Sequence, residues 1–240
     1  MFDTTLNSTG FPENGDYGNA FLHLTTKGGL AVADYFEMYN QSTENSFDTD
    51  LGSGGALLVS QKDSTGKIWQ LAVGAGKDSN LYVVDRTNMG KFNSKSNSIY
   101  QELPNALRNG IWSMPAAFNT NIYYGPKDSP IQKFQFSNAK LRTTAVAKTA
   151  NSFAYPGATP SISANAGQNA ILWAAENTNP AVLHAYNAKT LTEIYNTNQA
   201  SNGRDQFGAG NKYITPMIAN GKVYVGTTTG VGVFGLLAAK

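Results

Sequence analysis

The chain of 240 residues has no cysteine, which excludes disulfides, thiolate nucleophiles and cysteine-bound metals and fits either redox compartment. Charge is scarce: 18 Lys and Arg against 16 Asp and Glu leave a net +2, with no run of like charge. A nucleic-acid binder needs a basic face that displaces counterions from phosphates, and none is visible. The apolar stretches are short and broken by glycine, so none can span a bilayer. No Gly-x-Ser-x-Gly elbow occurs, and two histidines offer little choice of base for a serine nucleophile.

What the chain has instead is Gly 24, Tyr 12, Phe 12 and abundant Asn, Ser and Thr, the makings of strands and turns. The low-charge, Asn- and Thr-rich composition points to a secreted or periplasmic bacterial protein. The opening, Met1-Phe2-Asp3-Thr4-Thr5, reads as the middle of something: either a leader has been removed or the chain begins partway through a larger protein.

One unit recurs: a Thr/Ser–Pro or small-residue entry, a short apolar strand, a turn often marked by Asn, a second apolar strand, then two further strands. Clear copies begin at Ser113-Met114-Pro115, Thr159-Pro160 and Thr215-Pro216, with Gly54-Gly55-Ala56 a weaker fourth. The intervals of 59, 45 and 56 residues leave room for four short strands plus loops, the size of a propeller blade. Second strands align at 69–76, 121–126, 170–177 and 222–228, and third strands at 81–85, 131–136, 182–186 and 230–236. Phe21–Thr26 reads as an earlier third strand with Leu30–Tyr39 as its fourth; 141–150 and 191–198 are later fourth strands. Each run is short, rich in Val, Ile, Tyr and Phe and bounded by turn residues, with no competing helical period.

The predicted fold is all-β: one propeller over 1–240 of about four to five four-stranded blades. A partial blade covers 1–40, blades follow over 51–106, 110–150 and 155–200, and a partial last blade covers 211–238. Ring closure stays open. Strands from the two termini can share a blade, or the ring is incomplete and closes by association with another copy, a homo-oligomer.

The turns between third and fourth strands resemble a repeated motif of the pyrroloquinoline-quinone (PQQ) dehydrogenase superfamily, Ala-x-Asp-x-x-Thr-Gly-Lys-x-x-Trp. Ala185-Tyr186-Asn187-Ala188-Lys189-Thr190-Leu191-Thr192-Glu193-Ile194-Tyr195 keeps the Ala, the Thr and a terminal aromatic. Val83-Val84-Asp85-Arg86-Thr87-Asn88-Met89-Gly90-Lys91-Phe92 is a degenerate copy with an insertion, and Asp63-Ser64-Thr65-Gly66-Lys67-Ile68-Trp69 matches the letters but lies between first and second strands. The stretches 48–55, 155–160 and 203–211 are similar to secreted soil-bacterial, acidobacterial-type proteins with PQQ-like repeats and no assigned activity. The resemblance implies fold more than function.

Three function readings follow. The first is a secreted binding or scaffold propeller, taking a small molecule or saccharide at its channel mouth or loop face, with Trp112, Arg204 and Asp205 as ligand-binding candidates. The second is a Ca²⁺-dependent hydrolase of lactonase, esterase or phosphotriesterase type in the central channel, its metal held by Glu176, Asn177, Asp205 and Asn211, since hard cations want such oxygens. The third is a degenerate PQQ-dependent dehydrogenase with Trp112 or Trp173 under the cofactor; the cysteine pair often present there is missing. Each has a structural alternative: the tryptophans pack between blades, Asn and Asp cap turns, Glu176 forms a surface pair, and Arg204–Asp205 orders its own loop. No catalytic residue is assigned. His23 and His184 hold equivalent third-strand places, which points to repeat packing.

Overall fold

The structure is a computed structural model, and it describes residues 15–236. These fall into two compact units, one of residues 15–112 with 136–143, the other of residues 113–135 with 144–236. The one α-helix among them, α1 (Gln41–Ser46), is six residues long, and no helix is long and apolar enough to cross a membrane.

The first unit opens with a hairpin, β1 (Ala20–Thr25) and β2 (Ala31–Glu37), bulged between His23 and Leu24. A four-stranded antiparallel sheet follows in sequence order: β3 (Leu57–Lys62), β4 (Ile68–Ala75), β5 (Leu81–Asp85) and β6 (Gln101–Leu103). Burial alternates along β3, whereas β5 is buried at Leu81, Tyr82, Val83 and Val84 because both its faces are covered. Tyr82 meets Phe21 and Phe36 at centroid distances of 6.5 and 5.9 Å in a core completed by Met38, Leu51, Ala72, Val84 and Met89. Full burial of side chains this size stabilises by about 1.5–3 kcal/mol each.

The second unit carries β7 (Ala116–Phe118), β8 (Asn121–Tyr124) and β9 (Gln132–Ser137), a strand whose last two residues belong to the first unit. The fourth strand expected over 141–150 is two fragments, β10 (Lys140–Leu141) and β11 (Ala147–Lys148), each pairing with β9. A complete meander follows: β12 (Ser161–Asn165), β13 (Gln168–Glu176), β14 (Val182–Asn187) and β15 (Glu193–Asn196). The last sheet is β16 (Met217–Ala219), β17 (Lys222–Gly226) and β18 (Val231–Phe234). The β16–β17 turn is Asn220-Gly221, both at positive φ, the chemistry a twisted two-residue hairpin demands. First strands lie side by side, β7 beside β12 and β12 beside β16. Each meander is a propeller blade.

Two of the stretches singled out in the sequence, 155–160 and 203–211, lie at blade crossings. The chain entering each new blade passes over the end of the preceding second strand. There Ile111 N–H donates to Gly76 O (2.9 Å), Ala158 N–H to Gly125 O (3.2 Å) and Gly210 N–H to Thr178 O (2.8 Å). A Cβ on Gly125 would sit 2.2 Å from Ala158 O, so the crossing closes only on glycine. The loose motif has an equally local cause. Asp85 Oδ1 accepts from Thr87 N–H and hydroxyl, and Asn187 Oδ1 from Lys189 and Thr190 N–H, side-chain turns that end third strands. Leu191, standing where the motif has glycine, holds φ +60°, and its side chain is buried in the core.

Candidate functional site

The residues singled out from sequence fall into separate groups and do not form one site. Trp112 is half-buried beside Gly110 in the first unit. Trp173 packs against Leu183 and Val223 and donates its indole N–H to Ser163 Oγ at 2.8 Å, a blade-packing role. Asn177 and Asn211 lie near the third crossing: Asn177 Nδ2 donates to Tyr155 O (3.0 Å), and Asn211 Oδ1 accepts from the N–H of Lys212 (2.9 Å).

Arg204 clasps Asp205 through Nε (2.7 Å) and Nη2 (2.8 Å), and the Tyr195 hydroxyl donates to the same carboxylate. The Arg204 and Tyr195 bonds hold the Asp205 carboxyl down to about 2. A cation on Asp205 would have to displace Arg204. Among the described residues, no three His, Cys, Asp or Glu side chains are grouped to hold a metal. These oxygens fit Ca²⁺ poorly.

Glu176 belongs to a different arrangement. His184, on β14, is 6% exposed and held at both nitrogens: Nδ1 by Glu193 Oε1 at 2.5 Å and Nε2 by Glu176 Oε1 at 3.0 Å. Desolvation pulls the imidazole pKa down, but the hydrogen bonds to the two carboxylates outweigh it and the net shift is upward. Glu176 shifts downward, led by its bond to His184. Tyr186 stacks on the ring at 5.7 Å and donates to Asn151 Oδ1 (2.5 Å). His23 shares none of this. It is exposed on β1, so equivalent strand places do not give equivalent surroundings.

A cavity of about 870 Å³ opens at the other end of the same sheets. Glu176 ends β13, whereas the cavity begins where β13 starts. It lies between the β7–β8 turn, the middle of β9, the β12–β13 turn and the loop after β14. Asn119, Asn121, Gln135, Gln168, Asn169 and Asn187 present amides to it, over an apolar base of Phe118, Ile171 and Ile194. Asn121 Oδ1 is buried and has no hydrogen-bond partner among the described residues. Lys133, 8% exposed, donates from Nζ to Lys189 O. Burial lowers its pKa, and the charge of Lys189 lowers it further, so two ammonium groups share one wall. Below them the Tyr123 hydroxyl donates to Ala188 O at 2.8 Å and fixes the loop.

The sequence reading missed this cleft because its lining comes from hairpin turns of two neighbouring blades. A run of turn amides is ordinary in sequence; only the Asn marking each turn was a usable signal.

No family model and no curated protein matches the chain. Among solved structures it is similar to the computationally designed Ika8 protein, with TM-score 0.47, 11% identity, and 77% of this chain against 45% of that one. BamB from Moraxella catarrhalis gives TM-score 0.47 and 11% identity over 86% of this chain and 53% of that one. Quinohemoprotein alcohol dehydrogenase from Comamonas testosteroni gives 0.46 and 14% over 74% and 34%. The chain thus spans from a third to about half of these proteins.

Proposed function

We propose that the chain is a binding propeller whose ligand, a saccharide or related polyol carrying an acidic group, occupies the cleft between the β7–β9 and β12–β15 blades. The carrying observation is the conjunction at one wall of the cleft. Lys133 and Lys189 supply positive charge there, and Asn121 offers an acceptor that no described residue satisfies. Leaving such a buried group unpaired costs about 1–3 kcal/mol, which a ligand hydroxyl recovers. The amides can donate and accept at once, the property that reading several hydroxyls requires. The cleft lies within the size range of small-molecule sites, roughly 300–1,000 Å³.

Calorimetric titration with short oligomers of glucuronate and galacturonate, beside their neutral glucose counterparts, tests this. The acidic series binds and the neutral one is weaker by about tenfold, the worth of one charge-assisted hydrogen bond. Lys189→Met, an exposed change, removes that preference. Equal binding of both series, or of neither, contradicts the proposal.

A further inference from the structure

A second cavity, of about 470 Å³, lies wholly within the first unit and is independent of the cleft. Its walls are Phe21 and Leu24 from β1, Leu58 from β3, Ala72 from β4, and Met89. Leu58 is 60% exposed and Leu24 38%, so large apolar side chains face solvent around the opening. Water-exposed leucines around one opening are costly unless something covers them.

One cation enters this apolar surround. Arg86 follows directly on β5, and Gln70 holds it twice: the Arg86 backbone N–H donates to Gln70 O (2.8 Å), and Nη2 donates to Gln70 Oε1 (2.8 Å). Its Nε is buried without a hydrogen-bond partner among the described residues. His23 and Thr87 stand in the same lining. A guanidinium fixed through one Nη, with its Nε donor unanswered, is half of a planar fork for a carboxylate.

We propose that this cavity binds an amphiphilic monocarboxylate, an aliphatic acid of about eight to ten carbons. Its carboxylate pairs with Arg86 and its chain lies on Phe21, Leu24, Leu58 and Met89. A neutral hydrocarbon would leave Nε unpaired, and a small inorganic anion would leave the leucines wet, so one molecule must supply both ends. Its affinity should rise about fourfold for each methylene buried.

The test is calorimetric titration of the whole chain with sodium hexanoate, octanoate and decanoate, and with decanol as the neutral comparison. Affinity should climb through the acid series, with decanol at least tenfold weaker than decanoate. Arg86→Gln should abolish the difference between acid and alcohol, and Arg86→Lys should restore part of it. Leu58→Asp keeps the test sound if the Arg86 variants fold poorly. It sits on an exposed face, should leave the melting curve unchanged, and should weaken decanoate at least tenfold by repulsion. The proposal is overturned if decanoate and decanol bind alike, if folded Arg86→Gln binds decanoate as the parent does, or if no acid binds at ~1 mM.

Discussion

His184 is buried and bonded to a carboxylate at both ring nitrogens, and replacing it with alanine should be among the most damaging single changes in the second unit. The substitution removes charge-assisted hydrogen bonds to Glu193 (2.5 Å) and Glu176 (3.0 Å). Such bonds are worth about 1.5–3 kcal/mol each. The glutamate side chains are 31% and 24% exposed, so solvent screening brings the pair to roughly 2–3 kcal/mol in total. Lost contact with Tyr186 and with Phe153, whose ring meets His184 edge-on at 5.6 Å, adds about 1 kcal/mol. A cost of about 3–4 kcal/mol lowers the melting temperature of a chain this size by roughly 6–15 °C. The loss must also depend on pH. Folding raises the imidazole pKa, so its stabilisation is complete below the unfolded value of 6.5 and disappears as pH rises through the folded value. Glu176 is lowered instead; its share is present above 4.5 and lost as pH falls through its folded value. The gap between parent and His184→Ala in circular-dichroism melts is therefore widest near pH 5–6 and narrows towards pH 9. A gap that is constant or widens above pH 7, or a loss under about 2 °C, refutes the reasoning.

Two further predictions concern stability. Burial raises Asp78 from 3.8 to about 6, with the Tyr82 hydroxyl donating to it at 2.5 Å, so folding favours its protonated form and stability falls as pH climbs from 4 past 6. Asp78→Asn keeps the acceptor and never ionises; it should melt higher than the parent at pH 8, by an amount reflecting roughly 2–3 kcal/mol, and equal it near pH 4. A lower melting temperature at pH 8 would count against that assignment. Gly125→Ala forces a Cβ to within 2.2 Å of Ala158 O and should cost about 3 kcal/mol or more by parting the blade crossing, read as a lowered urea midpoint.

The strand pattern was legible because period-2 runs and Asn turns are local properties. Asn220-Gly221 and Asp85 mark their turns by their own chemistry, and the second and third strands stand close to where those signals put them. The fourth strand of the middle blade was not legible: β10 and β11 leave β9 between them, a break with no local sign. Helix α1 was missed because six polar residues, Gln41–Ser46, carry no apolar period. The candidate metal residues were drawn from the end of a second strand, at Glu176 and Asn177, and from the loop before a first strand, at Asp205 and Asn211. Asn177 and Asn211 sit by a blade crossing, while Glu176 reaches a histidine eight residues on. The cleft escaped because its amides become neighbours only when two blades pack, and nothing in the spacing of Asn121, Lys133, Gln168 and Lys189 records that.

The most direct test of the binding account is nitrogen-15 chemical-shift mapping of the whole chain during titration with a galacturonate oligomer. The account predicts shifts concentrated in residues 118–121, 133–135, 167–171 and 187–189, the turns that line the cleft. Shifts confined to Glu176, Asn177, Asp205 and Asn211 at the opposite strand ends, or scattered over the surface, would contradict it.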